Sequence, residues 1–63
     1  MNWAKNIKKL RDRMLVTQTE LSTILGVSYV SINRWENGVH NPTMKAKRKL
    51  MELFKKYKIN VEE

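Results

Sequence analysis

The sequence predicts an all-α protein, a compact bundle of four short helices. Apolar residues recur at steps of three and four along most of the chain, as they do on the buried face of a helix. Residues that cap helix N-termini precede these segments, and no stretch shows the alternating pattern of a strand. The helices are predicted at about residues 2–14, 17–25, 28–37 and 43–57, so residues 1–57 form one domain and residues 58–63 a C-terminal tail.

The first helix is predicted from four apolar residues, Trp3, Ile7, Leu10 and Met14, which are spaced by four, three and four positions. This spacing places them on one face of a helix. Asn2 precedes the pattern and can cap its N-terminus. The predicted helix therefore buries an apolar stripe that includes Trp3.

The second helix is predicted from its two ends. Thr17 can cap its N-terminus, and Glu20, three residues later, completes a capping box. Gly26 is suited to the left-handed position that ends a helix. The buried stripe between these ends is predicted to contain Leu21, Ile24 and Leu25.

The third and fourth helices are predicted in the same way. Ser28 can cap the third helix, which contains the core residue Trp35 and ends at Asn37-Gly38. After a loop through Pro42, Thr43 can cap the fourth helix. The apolar positions of the fourth helix keep helical spacing, and they are Ala46, Leu50, Leu53, Phe54 and Tyr57.

Size and charge restrict the function. A chain of 63 residues has room for one small domain, and with no Cys and one His neither a disulfide nor a metal site is expected. The net charge of +7 favours a polyanionic partner, and it is concentrated in two segments of +4, residues 1–16 and 43–63, around a middle segment of −1. No catalytic motif, cofactor, small-molecule ligand or membrane span is predicted, and a soluble, cytoplasmic protein is expected.

Residues 17–37 have the form of a helix-turn-helix, in which the second helix enters the major groove of DNA. At about 100° per residue, one side of that helix carries Ser28, Ile32, Trp35 and Glu36, and the other carries Val30, Asn33, Arg34 and Asn37. The second side suits base edges: arginine can donate to guanine, asparagine can bind adenine, and valine can contact the thymine methyl.

The segment from Leu10 to Pro42 resembles the lambda-repressor-like family of helix-turn-helix domains, also called the Cro or XRE family. The resemblance lies in Thr17-Gln18-x-Glu20-Leu21, Gly26-Val27-Ser28, Ile32 and Trp35-Glu36-Asn37-Gly38-x-x-x-Pro42. Two features depart from the family pattern. Ser22 occupies a position usually held by alanine, and no fifth helix is predicted after Tyr57 within residues 58–63.

The resemblance implies a role for each site residue. Base contacts are expected from Tyr29, Val30, Asn33 and Arg34. Contacts to the DNA backbone are expected from Gln18, Asn37, His40, Asn41 and Thr43. Gln18 is also expected to support the third helix. Arg11 and Glu36 match a pair that ties the first helix to the end of the third.

The sequence thus predicts a sequence-specific, double-stranded DNA-binding regulator, a repressor acting on an inverted-repeat operator as a homodimer that forms in free solution or only on DNA. The pairing surface is expected on the fourth helix and tail, at Met51, Phe54, Tyr57, Ile59 and Val61. Two alternatives remain open at this point. One is an antitoxin or restriction-system controller with the same DNA-binding fold, and the other is a protein-interaction module that retains the fold.

Overall fold

The computed structural model describes all 63 residues and contains four helices. These are α1 (Trp3–Met14), α2 (Gln18–Leu25), α3 (Tyr29–Glu36) and α4 (Met44–Lys56), and no residue is in a strand. The predicted all-α architecture is confirmed. The longest helix has 13 residues, and none combines the length and apolar character that crossing a membrane requires.

Each helix begins after the polar residue that the sequence predicts as its cap. The side chains of Asn2, Thr17, Ser28 and Thr43 each accept a hydrogen bond from a backbone N–H of the first turn. In the capping box, Thr17 Oγ1 accepts from the Glu20 N–H at 3.1 Å, and Glu20 Oε1 accepts from the Thr17 N–H at 2.9 Å. Gly26 ends α2 with a φ of +70°, a conformation that a side chain would strain.

The core is a single cluster to which all four helices contribute. Its buried members are Ile7, Leu10, Leu21, Leu25, Ile32, Trp35, Ala46, Leu50 and Phe54. Both α1 and α2 pack against α3, and both also pack against α4. The third helix is therefore held on its inner side by the two helices that precede it.

The prediction that Ile24 is buried is wrong, because its side chain is 46% exposed. The buried residues of α2 are Leu21, Ser22 and Leu25, so the core-facing side is centred toward Ser22 and leaves Ile24 at its edge. The buried Ser22 hydroxyl is hydrogen-bonded, because it donates to the Thr19 carbonyl at 2.6 Å. A serine is thus accommodated where the resemblance leads one to expect alanine.

The two tryptophans differ in burial. Trp35 lies in the core, whereas Trp3 is partly buried at its margin. The Trp3 ring packs on Phe54 with a centroid distance of 6.0 Å, and the Lys47 Nζ lies 5.5 Å from the Trp3 ring centroid. The core prediction for Trp3 is therefore right only in part.

Residues 58–63 form no helix but pack against α1. Asn6, which is fully buried, donates from Nδ2 to the Glu62 carbonyl at 3.0 Å and accepts from the Glu62 N–H at 2.8 Å. The Asn2 N–H donates to the same carbonyl, and Lys9 pairs with the Glu62 carboxylate at 2.8 Å, which lowers the pKa of that carboxyl. Ile59 packs against the core. This C-terminal segment is thus held against α1 and the core.

We expect Asn6→Ala to destabilise the protein by about 2 kcal/mol, since two hydrogen bonds of about 1 kcal/mol each are lost. Urea unfolding measures this loss. Lys8→Ala is the matched control, because Lys8 is exposed on the same helix. Equal stabilities of the two variants would contradict a structural role for the contact between Asn6 and the C-terminal segment.

Candidate nucleic-acid interface

The inner side of α3 anchors this helix in the core. Ile32, Trp35 and Glu36 are buried there, as the helical spacing predicts. Ser28, which was predicted on the same side, is exposed because it caps the helix and accepts from the Ser31 N–H at 3.2 Å. Three buried side chains therefore fix the rotation of α3 about its own axis and determine which residues face outward.

The outer side of α3 carries the predicted base-contacting residues. Tyr29 and Val30 are about half exposed, Arg34 is exposed and Asn33 is half-buried. Together they offer an aromatic ring, an apolar surface, an amide and a guanidinium within two turns. These are the groups that distinguish bases in the major groove.

Arg11 and Glu36 form the ion pair that the resemblance implies, and it joins α1 to the end of α3. The guanidinium donates from Nε to Glu36 Oε2 at 2.6 Å and from Nη2 to Glu36 Oε1 at 2.8 Å. The side chains are 24% and 2% exposed, respectively. The hydrogen bond to Glu36 raises the pKa of Arg11.

The Glu36 carboxylate also binds Gln18, the first residue of α2. Gln18 Nε2 donates to Glu36 Oε1 at 3.2 Å, and Gln18 Oε1 accepts from Asn33 Nδ2 at 3.3 Å. Asn33 Oδ1 in turn accepts from Asn37 Nδ2 at 3.1 Å. The structure thus brings three of the predicted DNA-contacting side chains, Gln18, Asn33 and Asn37, into one hydrogen-bonded row.

The resemblance implies that Gln18 supports the third helix, but neither the resemblance nor the helical spacing names Glu36 and Asn33 as its partners. Helical spacing relates residues within one helix, whereas Gln18 belongs to α2 and its partners belong to α3. A signal was present for Glu36 alone, because a carboxylate on the core side of a helix requires partners. Nothing in the spacing indicates that Gln18 is one of them.

The remaining predicted backbone-contacting residues lie after α3. His40 and Asn41 are exposed in the loop between α3 and α4, and the following Pro42 is buried. Thr43 is exposed, and its hydroxyl oxygen accepts from the Ala46 N–H at 3.3 Å as the cap of α4. Its hydroxyl hydrogen can still donate outward.

Helices α2 and α3 are short and joined by a tight turn, and α3 is anchored by its inner side and exposes base-compatible groups on its outer side. This is the arrangement of helix-turn-helix DNA-binding domains, in which the second of the two helices contacts DNA. The chain belongs to the helix-turn-helix family, whose model matches residues 7–60. Within that family it is of the Cro and lambda-repressor type, a DNA-binding regulator. Comparison with curated proteins and with solved structures gave no match.

Arg11→Ala should destabilise the protein by about 3–5 kcal/mol, because it leaves the buried Glu36 carboxylate without its cation. Glu36→Ala should cost less, since the Arg11 guanidinium is partly exposed and can be solvated. Urea unfolding measures both changes. Arg48→Ala removes an exposed arginine from α4 and should change stability by under about 1 kcal/mol. A loss in Arg11→Ala no larger than in Arg48→Ala would contradict this account.

Proposed function

We propose that this protein is a transcriptional repressor that acts in the cytoplasm and binds an inverted-repeat operator as a homodimer. The observation that carries the proposal is the outer side of α3, where Tyr29, Val30 and Arg34 are exposed beside Asn33. In the proposed complex these four residues contact base edges in the major groove. Catalysis has no part in it.

The backbone contacts are proposed around that side. Gln18 and Asn37 flank Asn33 in the hydrogen-bonded row, and His40, Asn41 and Thr43 follow in the exposed loop. Phosphate contacts from such positions fix the register of the reading helix on the duplex. The basic segments at residues 1–16 and 43–63 support this, because they supply affinity that does not depend on base sequence.

The homodimer is proposed because one recognition helix contacts too few base pairs to select one site in a genome. Two α3 helices related by a two-fold axis would enter successive major grooves about 34 Å apart. On the surface expected to pair, Met51 and Val61 are exposed beside Ile59, and they line an apolar groove on α4 and the C-terminal segment. Phe54 was also expected to pair, but it is buried in the core, so its ring contributes little exposed area.

Selection of bound sites from random duplex DNA tests the base contacts. The wild-type protein should enrich an inverted repeat. Arg34→Ala should lose about 1–3 kcal/mol of discrimination at one base pair of each half-site, because its guanidinium can donate two hydrogen bonds to guanine. Arg48→Ala removes the same charge outside α3 and should retain every base preference. Unchanged preferences in Arg34→Ala would exclude this side of α3 as the base-contacting surface.

The mass of the complex in solution tests the dimer. On the selected duplex we expect two chains, and Met51→Glu should weaken the two-chain complex because it places a carboxylate in the apolar groove. Leu15→Glu is the control, since it changes the charge equally at an exposed leucine outside that groove. One chain bound to a site without an inverted repeat would refute the dimer and leave DNA binding intact.

A further inference from the structure

A row of hydrogen-bonded side chains runs from the ion pair between α1 and α3 to the outer side of α3. It begins at the Arg11–Glu36 pair and continues through Gln18 and Asn33 to Asn37. We call Gln18, Asn33 and Asn37 the amide row. Each has a primary amide, which presents a carbonyl oxygen on one side and an NH₂ group on the other. What such a side chain offers to a partner therefore depends on which way its amide is turned.

The Glu36 carboxylate determines which way each amide in the row is turned. A carboxylate only accepts hydrogen bonds, so Gln18 must direct its NH₂ group at Glu36 Oε1, 3.2 Å away. The Gln18 carbonyl then faces Asn33, which must donate from Nδ2 across 3.3 Å. Reversing either amide would place two acceptors or two donors against each other.

Glu36 is itself unable to turn. Arg11 donates to both carboxylate oxygens of Glu36, and the Glu36 side chain is almost completely buried. A reversed Gln18 amide would therefore place its carbonyl oxygen against a buried carboxylate that cannot move away. Near such a buried group, successive hydrogen bonds polarise and strengthen one another, which further favours a single direction along the row.

At Asn33 the row leaves one donor and one acceptor unused. One hydrogen of Nδ2 is bound to Gln18, and one lone pair of Oδ1 is bound by Asn37, so one of each remains. Adenine presents an acceptor at N7 and a donor at N6 in the major groove. An Asn33 amide turned one way places its NH₂ group against N7 and its carbonyl oxygen against the N6 amino group, so both hydrogen bonds can form. Turned the other way, it places donor against donor and acceptor against acceptor.

We infer that Glu36 is a specificity-determining positioning residue, which sets the direction of the Asn33 amide through Gln18 and thereby the preference for adenine at one base pair. It does not itself touch DNA, since it lies on the buried side of α3. The inference rests on the proposed function, because it assigns the source of base preference within the proposed DNA-binding surface.

Selection of sites from random duplex DNA tests the inference with three variants. Asn33→Ala identifies the base pair that depends on Asn33, and we expect the base contacted there to be adenine. Glu36→Gln keeps the shape of the side chain but allows position 36 to donate or accept, so the amides are no longer held in one direction. We expect the adenine preference at that base pair to fall on the order of tenfold, while the preference that depends on Arg34 remains.

Gln18→Met keeps the Arg11–Glu36 pair and interrupts the amide row, so it tests the same link if Glu36→Gln fails to fold. It should show the same loss of adenine preference, together with a uniform loss of affinity. Ile7→Val is the control for reduced stability alone, since Ile7 is a core residue on α1 outside the row. It should retain the adenine preference.

The outcomes separate the inference from the proposed function. Loss of the adenine preference in Glu36→Gln, or in Gln18→Met if Glu36→Gln does not fold, with retention in Ile7→Val, supports the inference. Retention in folded Glu36→Gln or in folded Gln18→Met, or dependence of Asn33 on a base other than adenine, overturns the inference and leaves the proposed function intact. A wild-type protein that selects no sequence refutes the proposed function, and the role of Glu36 in base preference with it.

Discussion

The buried carboxylate of Glu36 is the constraint on which the geometry of the proposed DNA-binding surface depends. A carboxylate on the core side of a helix is costly unless it is paired and hydrogen-bonded. Here Arg11 from α1 and Gln18 from α2 meet it at the end of α3. Three helices are thereby joined at one point, and the position of α3 relative to α1 and α2 is fixed by directional bonds as well as by apolar packing. Apolar packing does not depend on direction, whereas each of these hydrogen bonds requires a particular orientation of α3 relative to α1 and α2.

The third helix has only eight residues with which to serve both the core and the outer surface. Ile32 and Trp35 provide its apolar anchor, and the exposed side chains are free to vary without loss of packing. Asn33 lies between these two roles, since it is half-buried and engaged with α2 while remaining at the edge of the outer side. A substitution at Asn33 therefore differs from one at Arg34, because it changes a contact between helices as well as the exposed surface.

The segment that follows α4 also contributes to the fold. With 63 residues and no disulfide, few apolar side chains can be fully buried, and directed polar contacts add to the stability that the core supplies. Asn6 is one such contact. It lies at helical spacing between Trp3 and Leu10 on the apolar side of α1, where an unpaired amide would be costly, and the backbone of Glu62 satisfies both of its polar groups. The C-terminal segment in turn places Ile59 against the core.

Local patterns in the sequence determined the four helices and their ends, because capping and helical spacing involve residues within a few positions of one another. The caps at Asn2, Thr17, Ser28 and Thr43 were predictable for this reason. So was the burial of Ile32, Trp35 and Glu36 on α3. The resemblance to a known family supplied the Arg11–Glu36 pairing, which spacing alone does not give. The resemblance also implied that Gln18 supports the third helix. Only the tertiary structure decided that its partners are Glu36 and Asn33, that the C-terminal segment binds Asn6, and that Ile24 is left exposed. These features depend on how separate helices and the C-terminal segment meet, and a pattern that repeats within one helix carries no information about the angle at which another helix crosses it.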